Sequence, residues 1–270
     1  MVKKVCVFMA TVLLSTVVYA QQKVLFVMSS AGELPLQKGK VYKETGVFLS
    51  EFFLAYKEIA DLGYEIDIAT PDGNKPFIDK ESLNKKYWGD DKMLLPEALD
   101  FVRDNKEFNH PRTIDHILQN NRQYIGMVVP GGQGLMVDLI KDYNTSQLLV
   151  EFSKQGKPIG LICHAPALIL SIPKEENPFI GYEVNSVTGL EEWFIESFVM
   201  KGKPFNREIG RQLKKLGLKY KKGRPAGNFA IRDRELITSQ NPYSNQAFIT
   251  LYIEALKEYE STGSLRFSQE

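Results

Sequence analysis

The chain has 270 residues, 43% hydrophobic and 25% charged, with 34 basic side chains against 33 acidic ones. That length suits one large α/β domain or two small ones, and the composition excludes an intrinsically disordered chain. The near balance of charge gives no basis for nucleic-acid binding, which wants a clustered positive face.

The first twenty residues stand apart. Lys3 and Lys4 form a short positive region, and residues 5–18 are an apolar run interrupted only by Thr11, Ser15 and Thr16. Val18-Tyr19-Ala20 then fits a small-x-small cleavage site ahead of Gln21. The run is shorter than the ~20 apolar residues of a membrane-spanning helix. The segment therefore predicts a cleaved export signal over residues 1–20, with a buried first strand or an uncleaved anchor as the alternatives. The absence of a cysteine at the cleavage point argues against a lipoprotein anchor. Export places the mature protein in the periplasm or outside the cell, free of the membrane. It also removes Cys6 and leaves Cys163 as a lone thiol, which is either a buried core cysteine or a reactive group. N-terminal sequencing of protein from the native host should find a chain beginning near Gln21; a soluble protein that keeps Met1 would refute export.

Residues 23–29 read as a buried strand running into a loop at Ser29-Ser30-Ala31-Gly32. Residues 45–63 read as a helix, because Phe48, Phe52, Ala55, Ile59 and Leu62 recur at spacings of three and four and Gly63 supplies a stop. Strands follow at 64–70 and 125–129, the second ending in Pro130-Gly131-Gly132. A helix is predicted over 135–155, and a strand over 158–162 runs straight into Cys163. Residues 217–239 suggest a strand or hairpin, and 243–259 a closing amphipathic helix. This alternation predicts an α/β fold with a mostly parallel, doubly wound sheet between layers of helices. Residues 74–121 are too long for a plain connection. They predict an inserted lid with a helix near 96–105. Residues 191–218 are a second candidate insertion, with Arg207, Arg211, Lys214 and Lys215 on a solvated helix face.

The chemistry concentrates in Gly160-Leu161-Ile162-Cys163-His164-Ala165-Pro166-Ala167. An apolar strand ends at a nucleophilic residue and small residues follow as a helix begins, the pattern of a strand-to-helix nucleophile elbow. The turn would hold the side chain out at the top of the sheet. The helix N-terminus would lower the thiol pKa, and the next backbone N–H could stabilise an oxyanion. Gly131 and Gly132, at the end of the neighbouring strand, could add N–H donors or form a simple turn. Glu51 sits on or beside the apolar face of the 45–63 helix. A carboxyl buried there would be held protonated and could donate to a thiolate or a substrate oxygen; the alternative is a boundary glutamate. His164 is either a catalytic base or a structural histidine. His110 and His116 lie in the insertion without enough neighbours for zinc, so no metal site is predicted.

Taken in order, these segments resemble the ThiJ/PfpI superfamily, the cysteine-containing branch of the class I glutamine amidotransferase-like fold. Thr45-Gly46 through Glu51, residues 69–73, residues 129–132 with Gly134, Met136, Asp138 and Leu139, the Cys163 elbow and residues 236–242 carry the resemblance. It is nearest to the branch of the heat-shock chaperone and the glutathione-independent glyoxalases, with a flavodoxin-like fold over about 23–259. It implies a Cys163–His164 pair completed by an acid after the elbow, Glu192 by position with Glu191 as the near alternative, and it places the family glutamate at Glu51. Gln133 stands where that branch commonly has His, and keeps hydrogen-bonding capacity without being able to shuttle a proton. Ala165 stands where Gly is common. Gly131, Gly132, Gln133 and Ala165 are the expected oxyanion or substrate-binding residues. The resemblance implies a homodimeric enzyme without an organic cofactor that converts small 2-oxoaldehydes such as methylglyoxal to hydroxy acids. A holding chaperone or oxidation sensor, with an apolar surface around Tyr87 and Trp88, is the first alternative. A cysteine peptidase or amidohydrolase is the second.

Overall fold

The computed structural model describes residues 22–266, so residues 1–20, expected to direct export, and Cys6 lie outside the described residues. In chain order the elements are β1 (Lys23–Val27), β2 (Glu33–Leu36), β3 (Val41–Glu44), α1 (Leu49–Asp61) and β4 (Glu65–Thr70). Then come α2 (Leu95–Asp104), α3 (Lys106–Asn109), β5 (Arg112–Thr113), α4 (Ile114–Gln119), β6 (Tyr124–Val129), α5 (Tyr143–Lys154) and β7 (Ile159–Ile162). The chain closes with β8 (Glu183–Val184), α6 (Gly189–Phe194), α7 (Ile209–Leu216), β9 (Lys219–Tyr220), β10 (Ala230–Asp233), β11 (Leu236–Ser239) and α8 (Asn245–Thr262). Seven strands form the central sheet in the order β10-β11-β7-β6-β1-β4-β5. Every pairing in it is parallel except β10 with β11.

Strands β1, β6 and β7 are almost unbroken apolar runs because helices cover both of their faces. The crossover from β1 through α1 to β4 runs toward one edge of the sheet, and that from β6 through α5 to β7 toward the other. With right-handed connections, opposite directions put the two helices on opposite faces. Helix α1 packs beside α8 on one face and α5 beside α4 on the other. The direction reverses between β1 and β6, and ligands bind such sheets outside the carboxyl ends of the strands at that point.

Three readings change. The helix expected over 135–155 is α-helical only from Tyr143; before it lie 3-10 turns at Gly134–Met136 and Leu139–Lys141. The carboxylate of Asp138 accepts from the amides of Ser30 and Ala31, at 2.8 and 3.1 Å, and ties the segment to the end of β1. Asp142 then caps α5 by accepting from the amide and hydroxyl of Thr145. Second, residues 74–121 are mostly body rather than lid: β5 adds an edge strand beside β4, and α4 packs on α5. Trp88 is buried and donates through Nε1 to the Ser82 carbonyl, so it adds nothing to the exposed apolar surface expected there. The cap over the strand ends is instead the β2–β3 hairpin, bridged from Leu36 to Pro204 and packed through Leu34 and Leu36 on Met200. Third, Arg207 is no solvated face residue. Its guanidinium donates to both oxygens of buried Glu196, at 2.6 Å each.

Candidate active site

Strand β7 ends at Cys163, which adopts φ 60°. A non-glycine residue in this region is strained and persists only where neighbours hold it. Here the Cys163 N–H donates to the Ser239 carbonyl at the end of β11, and the Val187 N–H donates to the Cys163 carbonyl. The sharp turn presents the sulfur at the carboxyl end of the sheet, as the elbow pattern predicts.

Helix α1 brings Glu51 to the same point. The amide of Phe48 donates to the Gly131 carbonyl at 3.0 Å and docks the helix start on the loop after β6. Glu51 is fully buried. Its Oε2 accepts the Gly131 N–H at 2.9 Å beside the Cys163 side chain, and Oε1 has no hydrogen-bond partner among the described residues. Burial pushes its pKa up to about 8, against the opposing pull of neighbouring Cys163 and of the Gly131 hydrogen bond. The expectation of a carboxyl protonated at neutral pH follows from that environment.

The glycine pair serves this approach. A Cβ on Gly131 would run into the Glu51 carboxyl and the Cys163 Cβ, and one on Gly132, at φ +110°, into the Gly46 carbonyl. The Gly131 N–H is therefore spent on Glu51 and is no oxyanion donor, contrary to expectation. Gly132 lines the cavity beside Cys163 and its amide has no hydrogen-bond partner among the described residues, so it keeps that role open.

His164 is buried, with Nδ1 3.2 Å from the Cys163 sulfur. Burial lowers its pKa to about 4, so the ring is neutral. Its Nε2 lies 2.8 Å from the amide nitrogen of Gln133, itself buried, whose Oε1 has no partner among the described residues. Imidazole tautomer and amide orientation are set together. With the Gln133 oxygen on an Nε2–H, Nδ1 is left free to accept the thiol proton; with its NH2 there, Nδ1–H faces the sulfur.

Glu192, expected to orient the ring, points elsewhere. Its Oε1 accepts the Ile209 N–H at 3.3 Å, and burial raises its pKa to about 7. Glu191 closes a capping box on Thr188 and accepts from Ala226 and Asn241, so it does not hold His164 either. Both carboxylates are drawn off by backbone amides near helix starts, where they satisfy otherwise unpaired donors. Ala165 is fully buried under the turn and does not line the cavity.

The thiol also departs from expectation. Burial, reinforced by the charge of Glu51, pushes Cys163 well above its ordinary value, with the His164 backbone N–H pulling the other way. Behind the elbow stands only a seven-residue 3-10 turn, Ala165–Ser171, instead of an α-helix. It aligns fewer peptide dipoles on the sulfur. In the free protein the rate of Cys163 alkylation should rise with pH to a midpoint at or above the ~8.5 of a free thiol; a midpoint below neutrality would show that the Glu51 proton overrides burial.

Cys163, His164, Gln133 and Gly132 lie at one side of a cavity of about 430 Å³. Sequence reasoning missed most of its other lining, including Asp79, Phe48, Tyr87, Ile195, Phe198 and Met200. Asp79 arrives through the pairing of Val47 with Ile78, and burial raises its carboxyl. Nothing local in the sequence marks it.

Residues 41–174 match the profile of the DJ-1/PfpI family. This stretch, just under half of the chain, belongs to the family. The chain is similar to the protein/nucleic acid deglycase HchA of Escherichia coli O157:H7, 23% identical over 231 residues that cover 84% of this chain and 78% of the relative. Among solved structures, its fold is similar to Rapid Encystment Protein of Francisella tularensis, with a TM-score of 0.72 and 25% identity over 87% of this chain and 99% of that one. It is also similar to glyoxalase III of Candida albicans, with a TM-score of 0.71 and 23% identity over 87% and 97%. The family's mostly parallel sheet between helices is the architecture seen here.

Proposed function

We propose that the protein is a cysteine-dependent enzyme that converts small 2-oxoaldehydes to 2-hydroxy acids. The observation that carries this reading is the meeting of His164 Nδ1 and the neighbouring Glu51 carboxyl at Cys163, beside a cavity. Similarity to a deglycase and to a glyoxalase supports the same class.

His164 Nδ1 takes the thiol proton as the sulfur adds to the aldehyde carbon, then returns it to the new alkoxide to give a hemithioacetal. Glu51, ionised, removes the hydrogen from that carbon. The electrons form a carbon–carbon double bond with the former ketone carbon, and the hydroxyl proton moves to the neighbouring oxygen. Glu51 delivers its proton to the second carbon, which leaves a thioester at the first. Water cleaves the carbon–sulfur bond, releasing the hydroxy acid and the thiol. Glu51 is the proton carrier because its raised pKa places donor and acceptor forms within reach near neutrality. Turnover should therefore rise with pH, half-maximal near 8.

The test is release of a 2-hydroxy acid by purified protein, with Cys163→Ala as the control. An inert wild type, or a thiol-free variant that matches it, would overturn the reading.

A further inference from the structure

The cavity is larger than a 2-oxoaldehyde of a few heavy atoms needs, and its spare wall is apolar. Phe48 and Tyr87 meet edge to face at 5.0 Å on one side. Ile195, Phe198 and Val199 face it from a π-helical turn, Ile195–Val199, with Met200 next to them. Such turns are rare and recur at functional sites. Phe198 is supported by Phe194 at 5.0 Å and by Trp193 at 5.8 Å, yet remains 58% exposed at the rim. The charges at the mouth are matched among themselves: Lys80 pairs with Glu44, Lys86 with Glu81, and Lys43 faces Asp79 and Glu81. Among the described residues at the mouth, Lys80 and Lys86 are thus taken by carboxylates, and Lys43 has the carboxyls of Asp79 and Glu81 near it.

Resting on the reading of Cys163 as the group that attacks the carbonyl, we infer that the substrate is a 2-oxoaldehyde with a bulky apolar substituent, seated against Ile195, Phe198 and Met200. The aldehyde faces the sulfur, and the substituent covers the wall that methylglyoxal leaves wet. The reaction and its balance are unchanged, since the substituent stays on the second carbon throughout.

Alkylglyoxals from methyl to hexyl keep the reacting groups constant and vary only apolar bulk. The expected result is a kcat/KM that climbs with chain length, at least about tenfold across the series, since a single methylene in an apolar pocket is worth ~10-fold or more. Phe198→Ala should remove most of that gain, whereas Phe205→Ala, at a residue 83% exposed and outside the cavity, should leave the series unchanged. A flat or falling series overturns the inference while leaving the 2-oxoaldehyde reaction standing. Protection of Cys163 against alkylation by 2-oxo acids reads the same wall without turnover. Should no aldehyde react, stronger protection by 2-oxooctanoate than by pyruvate would support the apolar subsite and reject the reaction; equal protection would reject the subsite too.

Discussion

Cys163→Ala is expected to abolish hydroxy-acid formation, and Glu51→Gln to lower turnover by about 10²–10⁴-fold, the usual contribution of a general acid–base group. Gln keeps the shape and can still accept the Gly131 N–H, but it cannot carry the proton between carbons. The same substitution should make the protein more stable at alkaline pH. The folded-state pKa of Glu51 is raised from an ordinary 4.5 to about 8, so the folded form holds its proton more tightly than the unfolded chain does. Stability from this group is present below pH 4.5 and is lost as pH rises through 8, where a buried carboxylate must form. Wild type and Glu51→Gln should unfold alike at pH 4, and the variant should gain at least about 1.4 kcal/mol at pH 9. Denaturant melts at the two pH values measure this. A variant that loses activity and is also less stable at pH 9 would mean that Glu51 holds the site together rather than moving protons.

The second large effect is expected at Gln133. It holds the His164 Nε2 that an acid was expected to hold. Gln133→Leu should lower kcat by roughly 10²-fold, the low end of what a general acid–base group contributes, because the ring loses its fixed tautomer. Gln133→Glu should restore much of the rate and raise the His164 pKa, since a carboxylate favours the imidazolium. Below the fall set by Glu51 near pH 8, the acidic limb of kcat/KM then steepens at a higher pH than in the wild type, as His164 protonation adds to that of Glu51. If Gln133 merely filled space, both variants would lose rate alike and the limb would stay put.

Much of this was legible in the sequence because it depends on short-range pattern. Apolar runs and their glycine stops marked β1, β6 and β7, and the 3–4 spacing marked α1. The strand-to-turn step at Cys163 needs only a few consecutive residues. Glu51 was singled out because it lies on or beside the apolar face of α1, where burial was one of two readings, and because the family resemblance places its glutamate there.

What failed depended on partners far apart in the chain. Glu192 follows the elbow at the right distance, but whether its carboxylate reaches His164 or the Ile209 amide depends on where α7 lies. Gly131 is a free donor until α1 docks and claims its N–H. The thiol pKa was judged from the dipole of a following helix, whereas its value is decided by burial and by a carboxyl more than a hundred residues earlier in the chain. The chain itself determined the sheet and the elbow at Cys163. Only the tertiary structure decided which neighbour takes each ring nitrogen and carboxyl oxygen, because a hydrogen bond is won by whichever group folding brings within about 3 Å.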